Sequence, residues 1–191
     1  MDTRNYLLAL EGIQKLSPGL GTYLSTALKE HHFKKKQLIS TSYPQVLFLA
    51  NISSGCARLY ALDLETRGQH TLEFFLPGDF LPLHIETPLH SEQQLFIEFL
   101  EDSCVLAVSE KHFSYLPRLF SPCSLLYQKI TLVHLLSQIS RSISIQELPS
   151  QQRFDRLVNK RPSLLKVVPV KELASYLGMH PNTLSSLRGK T

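Results

Sequence analysis

The clearest local pattern runs from Val170 to Arg188 and reads VKELASYLGMHPNTLSSLR. Gly178 is typical of a turn between two helices, because glycine adopts a left-handed backbone at little cost. Pro181 suits the first turn of the second helix, where a missing N–H removes no hydrogen bond. Small and apolar side chains stand where two crossing helices would face a core: Leu173, Ala174, Leu177, Met179, Leu184 and Leu187. The pattern predicts a helix-turn-helix.

The second helix of this motif would present a polar face to its surroundings. Asn182 and Thr183 lie at its N-terminal end, the part that usually meets base edges in a DNA major groove. Asparagine pairs with adenine and arginine with guanine, whereas serine and lysine side chains reach phosphates. The predicted DNA-binding residues are Lys171, His180, Asn182, Thr183, Ser185, Ser186, Arg188 and Lys190. The alternative is a helical hairpin that serves only for packing or protein contact.

Charge is distributed unevenly along the chain. Eight basic and two acidic side chains lie between Ser150 and Thr191, whereas the first 149 residues hold 12 basic and 14 acidic ones. A C-terminal segment of charge +6 on a body of charge −2 indicates a polyanionic partner, for which double-stranded DNA is the natural candidate. A solvated basic face without a partner is the alternative.

The cysteine and hydropathy patterns indicate the cellular compartment of the protein. Cys56, Cys104 and Cys123 are widely spaced and form no CxxC pair, which indicates free thiols in a reducing cytosol. No apolar run reaches the roughly 18 residues that a membrane span needs. The stretch Met1–Leu16 is amphipathic and unlike a signal peptide. We therefore expect a cytoplasmic protein without a membrane partner, and no cofactor.

The middle of the chain is rich in short β-type runs. Turn residues such as Ser53-Ser54-Gly55 and Pro77-Gly78-Asp79 separate them. Short strands at this spacing predict an antiparallel sandwich or barrel. The runs are Gln45–Ile52, Ala57–Leu64, His70–Leu76, Leu95–Leu100 and Cys104–Ser109. Two short helices are predicted before them, and the basic cluster Lys34–Lys36 is interpreted as a solvated loop.

A long helix is predicted between Pro122 and Ile145, which has no internal Pro or Gly. It carries two apolar stripes, so that one can pack on the body of the chain and the other on a partner helix. The second stripe is Leu126, Ile130 and Val133. The first stripe, predicted to form a homodimer interface, is Leu125, Leu132, Leu136, Ile139 and Ile143. One wide buried face in a monomer is the alternative.

This order of elements resembles the Crp/Fnr superfamily of transcription regulators. The motifs that carry the resemblance are Ser54–Tyr60 (SGCARLY), Phe75–Phe80 (FLPGDF), Leu100–Leu106 (LEDSCVL) and Val168–Arg188. The C-terminal motif looks like the family variant whose chain stops just after the recognition helix.

The resemblance implies an α+β fold in three parts. Residues 1–121 would form a cyclic-nucleotide-binding-like sensor domain, an antiparallel β-roll of the cupin-like jelly-roll type flanked by helices. Residues 122–146 would form the long dimerisation helix, and residues 147–191 an all-α helix-turn-helix domain. The resemblance further implies a homodimer that regulates transcription at a palindromic operator and is not an enzyme. RNA polymerase and an unknown small-molecule effector are candidate partners.

The effector region departs from the cyclic-AMP-binding members of the superfamily. Their ribose-binding Gly-Glu pair falls on Pro82-Leu83 here, and their phosphate-binding Arg-Ser pair on Gln93-Gln94. Leu83 cannot accept a ribose hydroxyl bond, and Gln93 offers no charge to an anionic phosphate. The effector-pocket region that the resemblance implies is Gly78, Asp79, Leu83, Gln93 and Gln94.

The sequence is compatible with two other classes of function. His84, Glu86 and His90 follow Gly78 at an interval that is reminiscent of a cupin metal motif. Three such groups can bind zinc, iron or nickel, which would indicate a metal sensor or enzyme, but a polar surface loop is the favoured interpretation. The third class is a degenerate family member that binds another protein through its β-roll.

The departures at Leu83 and Gln93 predict that the protein does not bind cyclic nucleotides tightly, because the hydrogen-bond acceptor for ribose and the cation for phosphate are both missing. Isothermal titration calorimetry with cyclic AMP and with cyclic GMP should show no heat of binding in the micromolar range. Micromolar affinity for either nucleotide would contradict the prediction.

Overall fold

The computed structural model describes residues 3–41, 47–83 and 93–189. The chain begins with helices α1 (Thr3–Ile13) and α2 (Pro18–Ala27). Helix α2 starts sharply because the Ser17 hydroxyl accepts a hydrogen bond from the N–H of Leu20 at 3.3 Å, an N-cap that the adjacent proline reinforces.

In the described residues seven strands form two antiparallel sheets. The strands are β1 (Leu28–Phe33), β2 (Leu38–Ser40), β3 (Phe48–Ser54), β4 (Ala57–Asp63), β5 (Gln69–Phe75), β6 (Gln93–Phe99) and β7 (Ser103–Val108). One sheet has the order β1-β7-β3 and the other β2-β6-β4-β5. This arrangement confirms the α+β class and the antiparallel roll.

Strands β1 and β2 were not predicted, and β1 has a clear reason. It is an edge strand that pairs with β7 from Leu28–Val108 to Phe33–Ser103. Its residues LKEHHF are mostly polar because its outer face is exposed, so no apolar alternation marks it as a strand. The cluster Lys34–Lys36 follows as an exposed turn, as interpreted from the sequence.

The roll encloses a core between its two sheets. Ile52 of β3, Ile97 and Phe99 of β6 and Val105 of β7 are fully buried there. A second core lies outside the first sheet, where α1 and α2 cover the roll. In it Tyr6 is fully buried, and its hydroxyl donates a hydrogen bond to the carbonyl oxygen of Leu49 at 2.9 Å.

The remaining helices follow the roll. They are α3 (Glu110–Leu119), α4 (Pro122–Glu147), α5 (Ser150–Lys160), α6 (Leu164–Val167), α7 (Val170–Leu177) and α8 (Pro181–Arg188). The predicted long helix is therefore confirmed as α4, with 26 residues. None of the described helices is both long enough and apolar enough to span a membrane.

The C-terminal helices share a hydrophobic cluster with the roll. Three buried side chains of the roll, Cys56, Phe74 and Leu100, enter this cluster. The helices contribute Phe154, Leu157, Leu164, Val168, Leu173, Ala174, Leu177, Leu184 and Leu187. Apolar packing thus crosses the boundary placed at residue 147, and the domain limits themselves stay a prediction.

Candidate nucleic-acid interface

Helices α7 and α8 meet at a left-handed turn. Gly178 has φ 63° and ψ 41°. Its N–H donates to the carbonyl oxygen of Ser175 at 3.2 Å, and the N–H of Met179 donates to that of Ala174 at 3.0 Å. These two bonds form the Schellman pair that ends a helix on glycine. The helix boundaries agree with the predicted helix-turn-helix, with Pro181 at the first position of α8.

Helix α8 is fixed on one side and open on the other. Leu184 and Leu187 are buried in the shared cluster. The ring of His180 caps the helix, because its Nδ1 accepts the N–H of Asn182 at 3.2 Å. The predicted DNA-binding residues with exposed side chains are Lys171, His180, Asn182, Thr183, Ser185 and Ser186. The prediction for Lys190 lies outside the described residues.

Arg188 differs from the other predicted contacts because it is half-buried. Its guanidinium donates a hydrogen bond to the carbonyl oxygen of Leu165 in α6 at 2.8 Å. This bond ties the end of α8 to α6. Its part in DNA binding stays a prediction.

Charged and polar groups dock α7 on the second sheet, and sequence reasoning did not single them out. Arg58 on β4 donates from Nε to Glu98 at 2.7 Å, and its guanidinium lies 4.0 Å from the carboxylate of Glu172 on α7. The N–H of Thr71 on β5 donates to the hydroxyl of Ser175 on α7 at 3.0 Å. These partners are up to 114 positions apart, so no local pattern in the sequence reveals them.

The first apolar stripe of α4 lies at the surface of the protomer. Its side chains are about half exposed: Leu125, Leu132, Leu136, Ile139 and Ile143. Leu135 is similarly exposed beside them. The second stripe packs inward, since Leu126 and Ile130 are buried with α1 and the roll. Val133, predicted on that inner stripe, is 51% exposed instead.

The effector-pocket region does not form one site. Gly78 and Asp79 line a cavity of about 220 Å³ between α1, α4 and the turn after β5. Leu83 is instead buried in the interior of the roll, and Gln93 and Gln94 are exposed at the start of β6. The structure therefore brings two of the five residues together.

His134 also lines this cavity, although sequence reasoning did not single it out. Burial lowers the pKa of its imidazole, which favours the neutral ring at neutral pH. Its Nε2 is buried and has no hydrogen-bond partner among the described residues. On the opposite wall the carboxylate of Asp79 accepts the N–H of Leu76 at 2.9 Å and lies 3.5 Å from the guanidinium of Arg161.

The predicted metal group of His84, Glu86 and His90 lies outside the described residues. Elsewhere, Glu30, His32 and Cys104 bring one potential ligand atom each within 4.8 Å of one another on strands β1 and β7. Sequence reasoning missed this group because β1 was not predicted. Burial raises the pKa of the Cys104 thiol, so a metal would have to displace its proton.

The sequence matches no protein-family model and no curated protein. Solved structures, however, match the fold closely. A protein from Eubacterium rectale described as a Crp/Fnr-family transcriptional regulator has a TM-score of 0.65 and 15% identity, over 90% of this chain and 82% of that one. FixK2 from Bradyrhizobium japonicum has a TM-score of 0.69 and 17% identity, over 85% and 83% of the two chains.

A third similar structure is CLP from Xanthomonas campestris, described as a c-di-GMP responsive global regulator. It has a TM-score of 0.62 and 14% identity, over 91% of each chain. The fold is therefore that of the Crp/Fnr transcription regulators: a cyclic-nucleotide-binding-like roll, a long helix and a C-terminal helix-turn-helix.

Replacing Gly178 by alanine should lower the free energy of unfolding. A side chain in the left-handed region costs about 1–2 kcal/mol. The new Cβ would also lie 3.2 Å from the Ile145 side chain at the end of α4. Urea unfolding followed by circular dichroism measures the loss.

The matched control is Gly12→Ala in α1, where an added Cβ meets nothing within 4 Å. Alanine there should raise stability by about 0.5–1 kcal/mol, because it favours helix. Equal effects of the two substitutions would contradict the assigned role of Gly178.

Proposed function

We propose that the protein is a DNA-binding transcription regulator of the Crp/Fnr type that binds a palindromic operator as a homodimer. The observation that carries the proposal is the α7–Gly178–α8 unit, which fixes one helix face in a core and leaves a polar face open. The location of this unit in the basic part of the chain supports DNA as its partner.

In this proposal the N-terminal half of α8 recognises the bases. The exposed amide of Asn182 can form a bidentate pair with adenine, and the hydroxyl of Thr183 can contact an adjacent base. The outward face of α8 is largely uncharged, so sequence selectivity comes from these polar groups rather than from a cluster of cations.

In this proposal the basic groups around this helix contact the phosphates. Lys171 is exposed in the first turn of α7 and is well suited to a backbone phosphate. Such contacts raise affinity on every sequence and weaken as the salt concentration rises.

The homodimer is supported by the exposed stripe of α4. A contiguous row of half-exposed Leu and Ile side chains is unusual on a monomer and typical of an interface. A two-fold dimer through this helix would present two copies of α8 to half-sites about 34 Å apart, one DNA turn.

Control by something other than cyclic AMP is part of the proposal. Leu83 is enclosed in the roll, so it can offer nothing to a ribose, and Gln93 carries no charge. The proposed role is that of a cytoplasmic regulator without catalytic activity, which responds to an effector of another kind.

Selection of binding sites from random duplex DNA tests the proposed function. We expect a palindromic site whose half-sites are separated by about one helical turn. Asn182→Ala should then weaken binding to that site by about 5- to 150-fold, while binding to unrelated DNA changes little. The exposed Asn159 of α5 provides the matched control, and Asn159→Ala should leave both affinities unchanged.

Lys171→Ala should instead weaken binding to all sequences and reduce the salt slope of the affinity by about one. Lys111→Ala on α3 is its control. Selection of no site, or equal effects of Asn182→Ala and Asn159→Ala, would contradict the proposal.

Analytical ultracentrifugation tests the dimer. Leu136→Glu combined with Ile139→Glu should give a monomer at concentrations where the unaltered protein is a dimer, because the interface would bury two uncompensated charges per subunit. The control pair Leu8→Glu and Leu119→Glu changes equally exposed leucines on α1 and α3 and should leave the dimer intact. A monomeric unaltered protein would exclude this interface.

A further inference from the structure

A basic cavity lies where the end of α4 meets α5 and α7. Its volume is about 290 Å³, close to the lower limit of small-molecule sites. Five of its lining residues are cationic: Arg141, Arg153, Arg156, Lys160 and Arg161. We propose that it binds a phosphorylated small molecule and that this ligand is the effector of the regulator. The inference rests on the proposed function.

The charge of this cavity is only partly compensated, because Arg161 lies 3.5 Å from the carboxylate of Asp79 while the other four cations form no ion pair with the described residues. No Asp or Glu is among its lining residues. Arg141 donates to the carbonyl oxygens of Tyr176 at 2.9 Å and Thr71 at 3.1 Å, which are neutral groups. The side chains of Arg156 and Lys160 are exposed and form no hydrogen bond or ion pair with the described residues. Cations that converge without carboxylates repel one another, and a bound anion removes that repulsion.

The chemistry of the lining favours a phosphate group. Guanidinium groups match phosphate oxygens with paired hydrogen bonds, and these charge-assisted bonds are among the strongest in proteins. Ser140 and Ser144 add hydroxyl groups, while Ile145 and Leu157 supply apolar contact for the remainder of a ligand. A mononucleotide or a sugar phosphate combines these features.

The cavity is placed to act on the helix-turn-helix. The guanidinium of Arg153 donates to the carbonyl oxygen of Leu148 just after α4, to that of Leu177 at 2.8 Å and to that of Gly178 at 3.1 Å. One side chain therefore joins the end of α4 to the turn between α7 and α8. A bound phosphate that accepts hydrogen bonds from the Arg153 guanidinium competes with these carbonyl oxygens and changes the position of the turn relative to α4.

This coupling is reciprocal. A ligand that changes the affinity for DNA by some factor must itself bind the DNA complex with an affinity changed by the same factor. The duplex itself is the competing anion for these cations, so the test has to separate the two.

The test uses the full-length protein with pyrophosphate, AMP and GMP as probes. Titration calorimetry and thermal unfolding should show saturable binding of at least one probe. Arg156→Ala combined with Lys160→Ala should weaken that binding at least about tenfold, because each lost charge-assisted bond contributes more than a neutral one. Both side chains are exposed, so the fold should persist, which circular dichroism checks.

The matched control removes one Lys and one Arg from α3. Lys111→Ala combined with Arg118→Ala changes net charge equally, at exposed positions outside the cavity, and should leave probe binding unchanged. A bound probe should also shift affinity for the selected operator in the unaltered protein and not in the Arg156/Lys160 double variant.

The inference would be overturned if no probe binds, or if the two double variants lose probe binding equally. It would also be overturned if the Arg156/Lys160 variant, tested without any probe, loses affinity for the operator as strongly as Lys171→Ala does. The last result would assign these cations to DNA. Operator binding without probe binding refutes the effector site alone. Cavity-specific probe binding by a protein that selects no DNA refutes the regulator and leaves the ligand site standing.

Discussion

One buried guanidinium links the roll to the helix-turn-helix. Arg58 is 4% exposed and lies between the second sheet and α7. A buried charge is tolerated only where it is paired and hydrogen-bonded. Within the roll, Glu98 on β6 and the side chains of Thr71 and Gln69 on β5 accept its hydrogen bonds, and the carboxylate of Glu172 on α7 lies 4.0 Å away. Docking of α7 therefore brings the partly buried Glu172 carboxylate next to a cation of the roll.

Apolar packing reinforces this constraint from a neighbouring position. The rings of Phe74 on β5 and Tyr176 on α7 lie 5.1 Å apart, and the guanidinium of Arg141 on α4 lies over the Tyr176 ring at 5.1 Å. Three parts of the structure thus meet at Tyr176: the roll, the long helix and the helix-turn-helix. A displacement of any one of them has to disturb the other two, because close-packed interiors yield little.

The sequence predicts best those elements of the structure that local chemistry determines. The helix-turn-helix was predicted between Val170 and Arg188 because Gly178 and Pro181 each have a backbone role that neighbouring residues cannot override. The length of α4 follows equally from the absence of interior Pro and Gly. Strand β1 escaped prediction because its identity comes from pairing with β7, a partner about 75 positions away.

The candidate sites are harder to predict because they are assembled from distant segments. The excess of basic residues after Ser150 is visible in the sequence, but its division between the proposed DNA-binding face and the cavity depends on how α4, α5 and α7 meet. The ribose-binding motif of the superfamily, counted onto this sequence without gaps, places Leu83 at a ribose contact, whereas the fold encloses its side chain in the roll. Val133 lies on the predicted inner stripe but is exposed, because beyond it the face of α4 that meets the roll carries the polar Ser137 and Gln138, which hydrogen-bond to β5.

The stripe of α4 has a consequence for inheritance. On the proposed dimer, pairing depends on Leu and Ile side chains of α4 and not on the state of α8. A chain with a damaged recognition helix would therefore pair with intact chains as readily as they pair with one another. In a cell that makes damaged and intact chains in similar amounts, most dimers would contain at least one damaged subunit. Such dimers could bind at most half of an operator. Lesions in α8 should behave as dominant, whereas lesions in the stripe should be recessive.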